Sequence, residues 1–144
     1  MSFNRAQIVQ AAEGWLGTPY HHQAALKGVG ADCIGFIRGV RAELLGFDVD
    51  YRPRYSPAWG EVDRDELLLK AAHEYFVPVE YDGWKAGDLL VFRVKFSASA
   101  KHCGIACDAE NMLHAVSKRA VIKTTIGAWS SHIAGVFKFP GVEE

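Results

Sequence analysis

Several features that define specialised classes of protein are missing from this sequence of 144 residues. No apolar run approaches the length of a membrane-spanning helix, about 18 residues, and the N-terminus lacks the basic and then apolar segments of a signal peptide. The net charge of −1 supplies no general attraction to nucleic acid or to an anionic membrane. We therefore expect a protein that is synthesised in the cytoplasm without a signal peptide, with no nucleic-acid partner and no membrane insertion.

Cysteine is also scarce, because the chain has three, an odd number without the spacing of a disulfide framework. This count fits synthesis in a reducing compartment. Hydrophobic residues make up 49% of the chain and aromatic residues 12%, which argues against a disordered, collagen-like or coiled-coil protein. The length and the absence of internal repeats predict a single domain, residues 1–144, built around one core.

The order of predicted elements indicates the fold class. A hydrophobic period of 3.6 residues predicts three helices, over residues 4 to 16, 33 to 45 and 67 to 76, with Asp63 and Glu66 capping the third. Short β-branched and aromatic runs then predict five strands, over residues 89 to 94, 102 to 107, 112 to 116, 121 to 125 and 135 to 139. Residues 47 to 62 are expected to form an irregular connection. Helices followed by strands favour an α+β fold, with the N-terminal helices packed on a five-stranded, mainly antiparallel sheet.

The candidate nucleophile is Cys33, which falls at the first position of the second predicted helix. Asp32 is a favourable N-cap residue, and Gly46 would end the helix. A thiol at a helix N-terminus lies where free backbone N–H groups favour negative charge, and such sites lower a cysteine pKa from about 8.5 to about 3.5–7.5. The alternative is a buried structural thiol, because free cysteine is among the most buried residue types.

A histidine in the second predicted strand is the candidate base. Alternation places His102, Gly104 and Ala106 on one face of this strand and its cysteines on the other. We expect the glycine-lined face of the second helix, Gly35 and Gly39, to pack over the face that carries His102. A lone strand histidine is more often structural, so the assignment depends on what else lies nearby.

A second histidine, His114, lies in the next predicted strand, twelve positions after His102. Hairpin pairing would bring the two imidazoles together, which is the geometry of a third group that orients a catalytic histidine. In this hypothesis, His102 takes the thiol proton of Cys33 and later gives it to a leaving amine. His114 accepts a hydrogen bond from the other ring nitrogen of His102 and so fixes its tautomer.

The joint order of five motifs resembles the NlpC family of papain-like cell-wall peptidases. These motifs are Gly17-Thr-Pro-Tyr20, Asp32-Cys-Ile-Gly-Phe36, Gly87-Asp-Leu-Leu-Val-Phe92, His102-Cys-Gly-Ile105 and Leu113-His-Ala115. The resemblance implies a circularly permuted papain-like fold, with Cys33 as nucleophile, His102 as base and His114 as the third polar residue. It also implies that Tyr20, the tyrosine beside the nucleophile, and Asp32 contribute to substrate binding.

The substrate that the resemblance implies is the peptidoglycan stem peptide, cut at an amide bond that is often the one between D-glutamate and a diamino acid. No metal or organic cofactor is expected. Many bacterial members have a Gly-Gly pair soon after the tyrosine and a serine after the cysteine, where this chain has the longer loop 21–30 and Ile34. That longer loop, together with Arg38-Gly-Val40 after the nucleophile, resembles the branch encoded by phages and gene-transfer particles. This resemblance implies a tail or particle component, with tail proteins as partners, that acts on the cell wall and is associated with a virion.

Three alternatives stay open at this point. The same Cys-His-His set would also catalyse amide acyl transfer, because an amine can attack the acyl-enzyme in place of water. A non-catalytic tail module would keep the fold without the reaction. A zinc site formed by His102, Cys103, Cys107 and His114 is disfavoured, because strand residues 103 and 107 would lie about 13 Å apart, whereas zinc–sulfur bonds are about 2.3 Å long.

Overall fold

The computed structural model of the chain describes residues 2–49, 66–94 and 99–144. Its helices are α1 (Arg5–Glu13), α2 (Cys33–Leu45), α3 (Leu67–Tyr75) and the 3₁₀ helix η1 (Gly127–His132). The strands before the main hairpins are β1 (Phe3–Asn4), β2 (Ala25–Leu26), β3 (Gly30–Ala31) and β4 (Val77–Pro78). The later strands are β5 (Leu89–Phe92), β6 (His102–Ala106), β7 (Asn111–Ala115), β8 (Val121–Thr125), β9 (Ile133–Lys138) and β10 (Val142–Glu143). None of the described helices is long and apolar enough to cross a membrane.

The first helix is held at its N-terminus by a capping box. The side chain of Asn4 accepts from the backbone N–H of Gln7, and the side chain of Gln7 accepts from the backbone N–H of Asn4. The helix ends at Glu13, earlier than predicted, because the next backbone N–H groups, of Trp15 and Leu16, bond three residues back instead of four. The buried side chains of α1 include Ile8, which joins the main core.

Helix α2 has the bounds that the sequence predicts. An Asp32 side-chain oxygen accepts from the backbone N–H of Gly35 at 2.8 Å, which caps the N-terminus. Gly46 ends the helix with a φ of 84°, a left-handed conformation that glycine adopts without steric cost. Both ends are therefore determined by residues within one turn of the helix.

The third helix also begins where it was predicted, but not through the expected cap. Glu66 makes no side-chain capping bond, and its carboxylate instead accepts from Arg93 at 2.6 Å and from the backbone N–H of Ala100 at 3.1 Å. Asp63 and most of the predicted irregular connection, residues 50–62, lie outside the described residues. Glu66 therefore ties the start of α3 to the segment that leads into β6.

Within the described ranges, the main sheet has six strands in the order β4-β9-β5-β6-β7-β8, and every neighbouring pair is antiparallel. The predicted five strands are confirmed to within two residues at each end. The sixth, β4, pairs with the far end of β9 at Phe137 and Lys138. It was missed because it has two residues, one of them Pro78, which is confined to sheet edges.

Helix α2 packs on one face of this sheet, together with α1. That face carries Val91, Cys103 and Leu113, which belong to the same buried cluster as Cys33 and Phe36 of the helix. Strand alternation makes this the more apolar face of β6 and β7, so burying it against the helices removes the larger hydrophobic area from water.

The face that carries His102 is covered differently from the prediction. His102 pairs with Phe92 across β5 and β6, and Phe92 belongs to a second buried cluster against which Trp84 and Trp129 pack. The expectation that the glycine face of α2 would cover His102 was therefore wrong. Gly35 instead packs against Ala24, because a Cβ atom added at Gly35 would lie 1.8 Å from the carbonyl oxygen of Ala24. Gly39 packs against Trp15, because a Cβ atom added there would lie 2.1 Å from the ring of Trp15.

Candidate active site

Cys33 lies at the first position of α2, where the helix N-terminus meets the beginning of β6. The side chain is 6% exposed, and its sulfur lies 3.8 Å from the carbonyl oxygen of Lys101, the residue before β6. On the other side, the sulfur of Cys103 lies 3.4 Å from the backbone carbonyl oxygen of Cys33. The sulfur of Cys33 is therefore held between a helix N-terminus and the first residues of a strand.

The contacts of Cys33 favour the thiolate. A side-chain hydrogen bond with Cys103 lowers the pKa of Cys33 most, burial opposes this, and a hydrogen bond with His102 and its charge lower it further, to about 5. The same hydrogen bond raises the pKa of Cys103 well above its usual value, so Cys103 stays a thiol and can donate. Cys33 is thus the member of the pair that ionises.

The two predicted histidines lie side by side. The Nε2 atom of His102 is 2.7 Å from the Nδ1 atom of His114, and the Nε2 atom of His114 is 3.0 Å from the Oγ1 atom of Thr124 in β8. The predicted proximity of the two imidazoles is confirmed. Since Nε2 of His102 is occupied by His114, its hydrogen bond with Cys33 falls to the other ring nitrogen.

His114 is the neutral member of the histidine pair. It is 1% exposed, and burial, followed by the charge of His102, lowers its pKa to about 3. A neutral imidazole carries one N–H and one acceptor nitrogen, so it can receive a hydrogen bond from His102 while it donates from its other nitrogen. The arrangement allows a positive charge on His102 beside a neutral His114.

Aromatic rings surround the histidine pair. The ring centroid of Trp129, from η1, lies 5.3 Å from that of His102 and 5.5 Å from that of His114. Phe92 stacks against His102 with centroids 6.0 Å apart. These contacts restrict the rotation of both imidazoles and keep water from one side of their hydrogen bond.

Tyr20 lies close enough to Cys33 for the charge of the thiolate to change the pKa of the Tyr20 phenol. Burial, then the negative charges of Cys33 and Asp32, raise the pKa of Tyr20 to about 12. The phenol therefore keeps its proton at neutral pH and can act as a hydrogen-bond donor beside the thiolate. Tyr20 is held in place by a parallel bridge to Ala31, two residues before the nucleophile.

Asp32 is buried beneath the nucleophile rather than open to solvent. One carboxylate oxygen accepts from the backbone N–H of Gly35 at 2.8 Å and the other from that of Gln23 at 2.8 Å. Its side chain is 2% exposed. These contacts join the loop before β2 to the start of α2, and a direct contact of Asp32 with substrate stays a prediction.

Sequence reasoning missed three residues that contact the predicted ones: Cys103, Thr124 and Trp129. Cys103 was correctly expected to face away from His102, but not to contact Cys33. Thr124 pairs with Met112 of β7, so it shares a face with His114, and the correct hairpin register would have indicated this contact. No local pattern predicts η1 or the placement of Trp129.

Chemically, the arrangement combines a nucleophilic sulfur, a histidine that can exchange a proton with it, and a second histidine that holds the first. In the described ranges 2–49, 66–94 and 99–144, no group of three or more His, Cys, Asp or Glu side chains could hold a metal ion.

Comparison with known proteins agrees with this geometry. The family model described as the NlpC/P60 family matches residues 17–138. A curated relative, the gamma-DL-glutamyl hydrolase of Bacillus subtilis, is 25% identical over 134 residues, which are 92% of this chain and 29% of that protein. The chain thus spans less than a third of the length of this relative.

Solved structures with the same fold include an NlpC/P60 family protein from Bacillus cereus, with a TM-score of 0.68 and 20% identity over 96% of this chain and 41% of that one. The NlpC/p60 domain of the peptidoglycan hydrolase SagA gives a TM-score of 0.67 and 22% identity over 95% of this chain and all of that domain. These likenesses confirm the expected papain-like α+β fold.

Proposed function

This chain belongs to the NlpC/P60 family, and from that premise we propose that residues 1–144 form a cysteine peptidase domain that hydrolyses an amide bond in peptidoglycan stem peptides. The observation that carries the proposal is the line of contacts from the thiol of Cys33 through His102 to His114, with a distance of 2.7 Å between the imidazoles. A structural thiol needs neither an adjacent imidazole nor a second one to orient the first.

The proposed reaction begins with the Cys33 thiolate, which attacks the carbonyl carbon of the scissile amide. The proton taken from the thiol resides on His102, which gives it to the leaving amine as the C–N bond breaks. His114 accepts from Nε2 of His102 and keeps the other nitrogen directed at Cys33. Water then attacks the thioester, with His102 as base, and releases the acyl product.

The negative charge that develops on the carbonyl oxygen needs donors. The backbone N–H of Cys33 at the start of α2 is the first candidate, because N–H groups in the first turn have no partner within the helix. The protonated phenol of Tyr20 is the second. Asp32 would support both by holding the loop that carries Tyr20 against the helix.

For the bond that is cut, we propose the amide between D-glutamate and a diamino acid. The Bacillus subtilis relative is named a gamma-DL-glutamyl hydrolase, and SagA is named a peptidoglycan hydrolase, which supports a glutamyl bond in the cell wall. We further propose a phage tail or gene-transfer particle as the setting, with tail proteins as partners. This rests on the long segment 21–30, which contains β2, and on Arg38-Gly-Val40 after the nucleophile.

Mass spectrometry of purified peptidoglycan fragments, incubated with the wild type, Cys33→Ala or Cys107→Ala, tests this proposal. Cys107 is a matched control because it follows β6 and has no place in the proposed reaction. New stem-peptide products from the wild type and from Cys107→Ala, but not from Cys33→Ala, are expected, and their masses identify the bond.

Two other results would contradict hydrolysis. Amide products that incorporate an added amine would indicate an acyltransferase. Fragments left unchanged by a folded wild-type protein would instead favour a non-catalytic module.

A further inference from the structure

We propose that Thr124 is a positioning residue whose hydroxyl accepts from Nε2–H of His114, and so leaves Nδ1 of His114 free to accept from protonated His102. This inference rests on the proposed function, because it assigns a role within the same reaction. It starts from two distances, 2.7 Å between the imidazoles and 3.0 Å from Nε2 of His114 to Oγ1 of Thr124.

The position of Thr124 follows from strand register. Strands β7 and β8 are antiparallel, with Met112 opposite Thr124 and His114 opposite Ile122. Residues two apart on a strand share a face, so Thr124 and His114 lie diagonally on the same face of the sheet. His114 is 1% exposed, and the hydroxyl of Thr124 is the partner that the structure gives to its second ring nitrogen.

The proton on His114 decides what His102 can do. When His102 holds the proton taken from Cys33, both of its nitrogens carry hydrogen, and Nε2–H needs an acceptor. That acceptor is Nδ1 of His114, which is free only if the single proton of His114 resides on Nε2. Burial and the charge of His102 keep His114 neutral, so it has one proton to place.

The hydroxyl of Thr124 stabilises this arrangement as the acceptor of the Nε2–H of His114. Without an acceptor, a buried Nε2–H loses its hydrogen bond, and the proton moves to Nδ1, where it faces His102. His102 would then have to accept at Nε2 and carry its own proton on the nitrogen that faces Cys33. In that tautomer His102 cannot take the thiol proton.

Three variants separate this role from a structural one. Thr124→Val keeps the branched shape and removes the hydroxyl, whereas Thr124→Ser keeps the hydroxyl. Thr125→Val is the matched control, because Thr125 is the next residue of β8 and is exposed. Each variant is first compared with the wild type by thermal unfolding, so that a folding defect is recognised.

The first readout is the ¹⁵N spectrum of the histidine rings in the resting protein. The wild type is expected to show His114 protonated at Nε2, and Thr124→Val to shift it toward protonation at Nδ1. A wild-type His114 protonated at Nδ1 would overturn the proposal, whether or not any variant folds. Because this spectrum needs no substrate, it decides the role of Thr124 even if peptidoglycan is not cleaved.

The second readout is kcat/KM on peptidoglycan fragments. Thr124→Val is expected to lose about 10- to 100-fold, mainly in kcat rather than KM, the same size as the loss when partners that orient metal-bound histidines are removed. Thr124→Ser is expected to restore most of the activity, and Thr125→Val to match the wild type. Equal losses in Thr124→Val and Thr124→Ser, or none in Thr124→Val, would overturn the proposal.

Discussion

Removing the thiol of Cys103 is expected to make Cys33 harder to ionise. The hydrogen bond from Cys103 is the largest cause that lowers the pKa of Cys33 to about 5, and Cys103 is itself 1% exposed, so water cannot replace it. Cys103→Ala deletes the donor. Cys103→Ser keeps a donor at the same place and is expected to stay closer to the wild type.

The size of the effect follows from the charge on the acceptor. A hydrogen bond to a charged group contributes about 1.5–3 kcal/mol, and one pKa unit corresponds to about 1.4 kcal/mol, so the pKa of Cys33 is expected to rise by about one to two units. At about pH 5.5, the fraction of Cys33 that is thiolate is then about three quarters in the wild type and between about a quarter and a thirtieth in Cys103→Ala. At about pH 8.5, nearly all of Cys33 is ionised in both the wild type and Cys103→Ala.

The assay is the rate at which iodoacetamide alkylates Cys33, followed by mass spectrometry of the peptide that contains it. Alkylation of Cys103→Ala is expected to be about 3- to 25-fold slower at about pH 5.5 and unchanged at about pH 8.5. Cys107→Ala, which removes a half-buried thiol beyond the end of β6, is the control. An equal slowdown at both pH values would mean lost access to the sulfur, and no slowdown at the lower pH would refute the electrostatic reasoning.

Two further predictions concern the start of α2. Gly35→Ala is expected to lower the melting temperature strongly, because the new Cβ would lie 1.8 Å from the carbonyl oxygen of Ala24, whereas Gly127→Ala, with nothing within 4 Å, is expected to leave it unchanged. Equal melting temperatures would contradict this close packing. Asp32→Ala is expected to cost about 1–3 kcal/mol in urea unfolding, because two backbone N–H groups lose their acceptor, and an unchanged midpoint would count against the cap.

The elements that the sequence predicted well are those whose determinants are local. Helix α2 was predicted with both bounds because Asp32 and Gly46 act within one turn of the helix ends. The hairpin that brings His102 to His114 was predicted because strand alternation and a short turn constrain neighbouring strands. These two local features already contain the proposed nucleophile, base and orienting histidine.

The errors came from contacts between elements that are distant in the chain. The glycine face of α2 allows another element to pack closely, but its periodicity does not identify that element. In the structure Trp15 and Ala24 pack there, and the strand that carries His102 does not. Strand β4 was missed because two residues carry no periodicity of their own. In each case several partners satisfy the same local pattern, and only the packing of the whole domain selects one.

By itself, the sequence determined the order of the three α-helices and of strands β5 to β9, the cap that places Cys33 at a helix N-terminus, and the hairpin of the two histidines. Tertiary structure alone decided that Cys103 contacts Cys33, that Thr124 contacts His114, and that Trp129 lies over the histidine pair. The physical reason is the separation along the chain between the residues that interact. Caps and alternation depend on hydrogen bonds and side-chain directions a few residues apart, whereas these contacts depend on register and burial across separate elements.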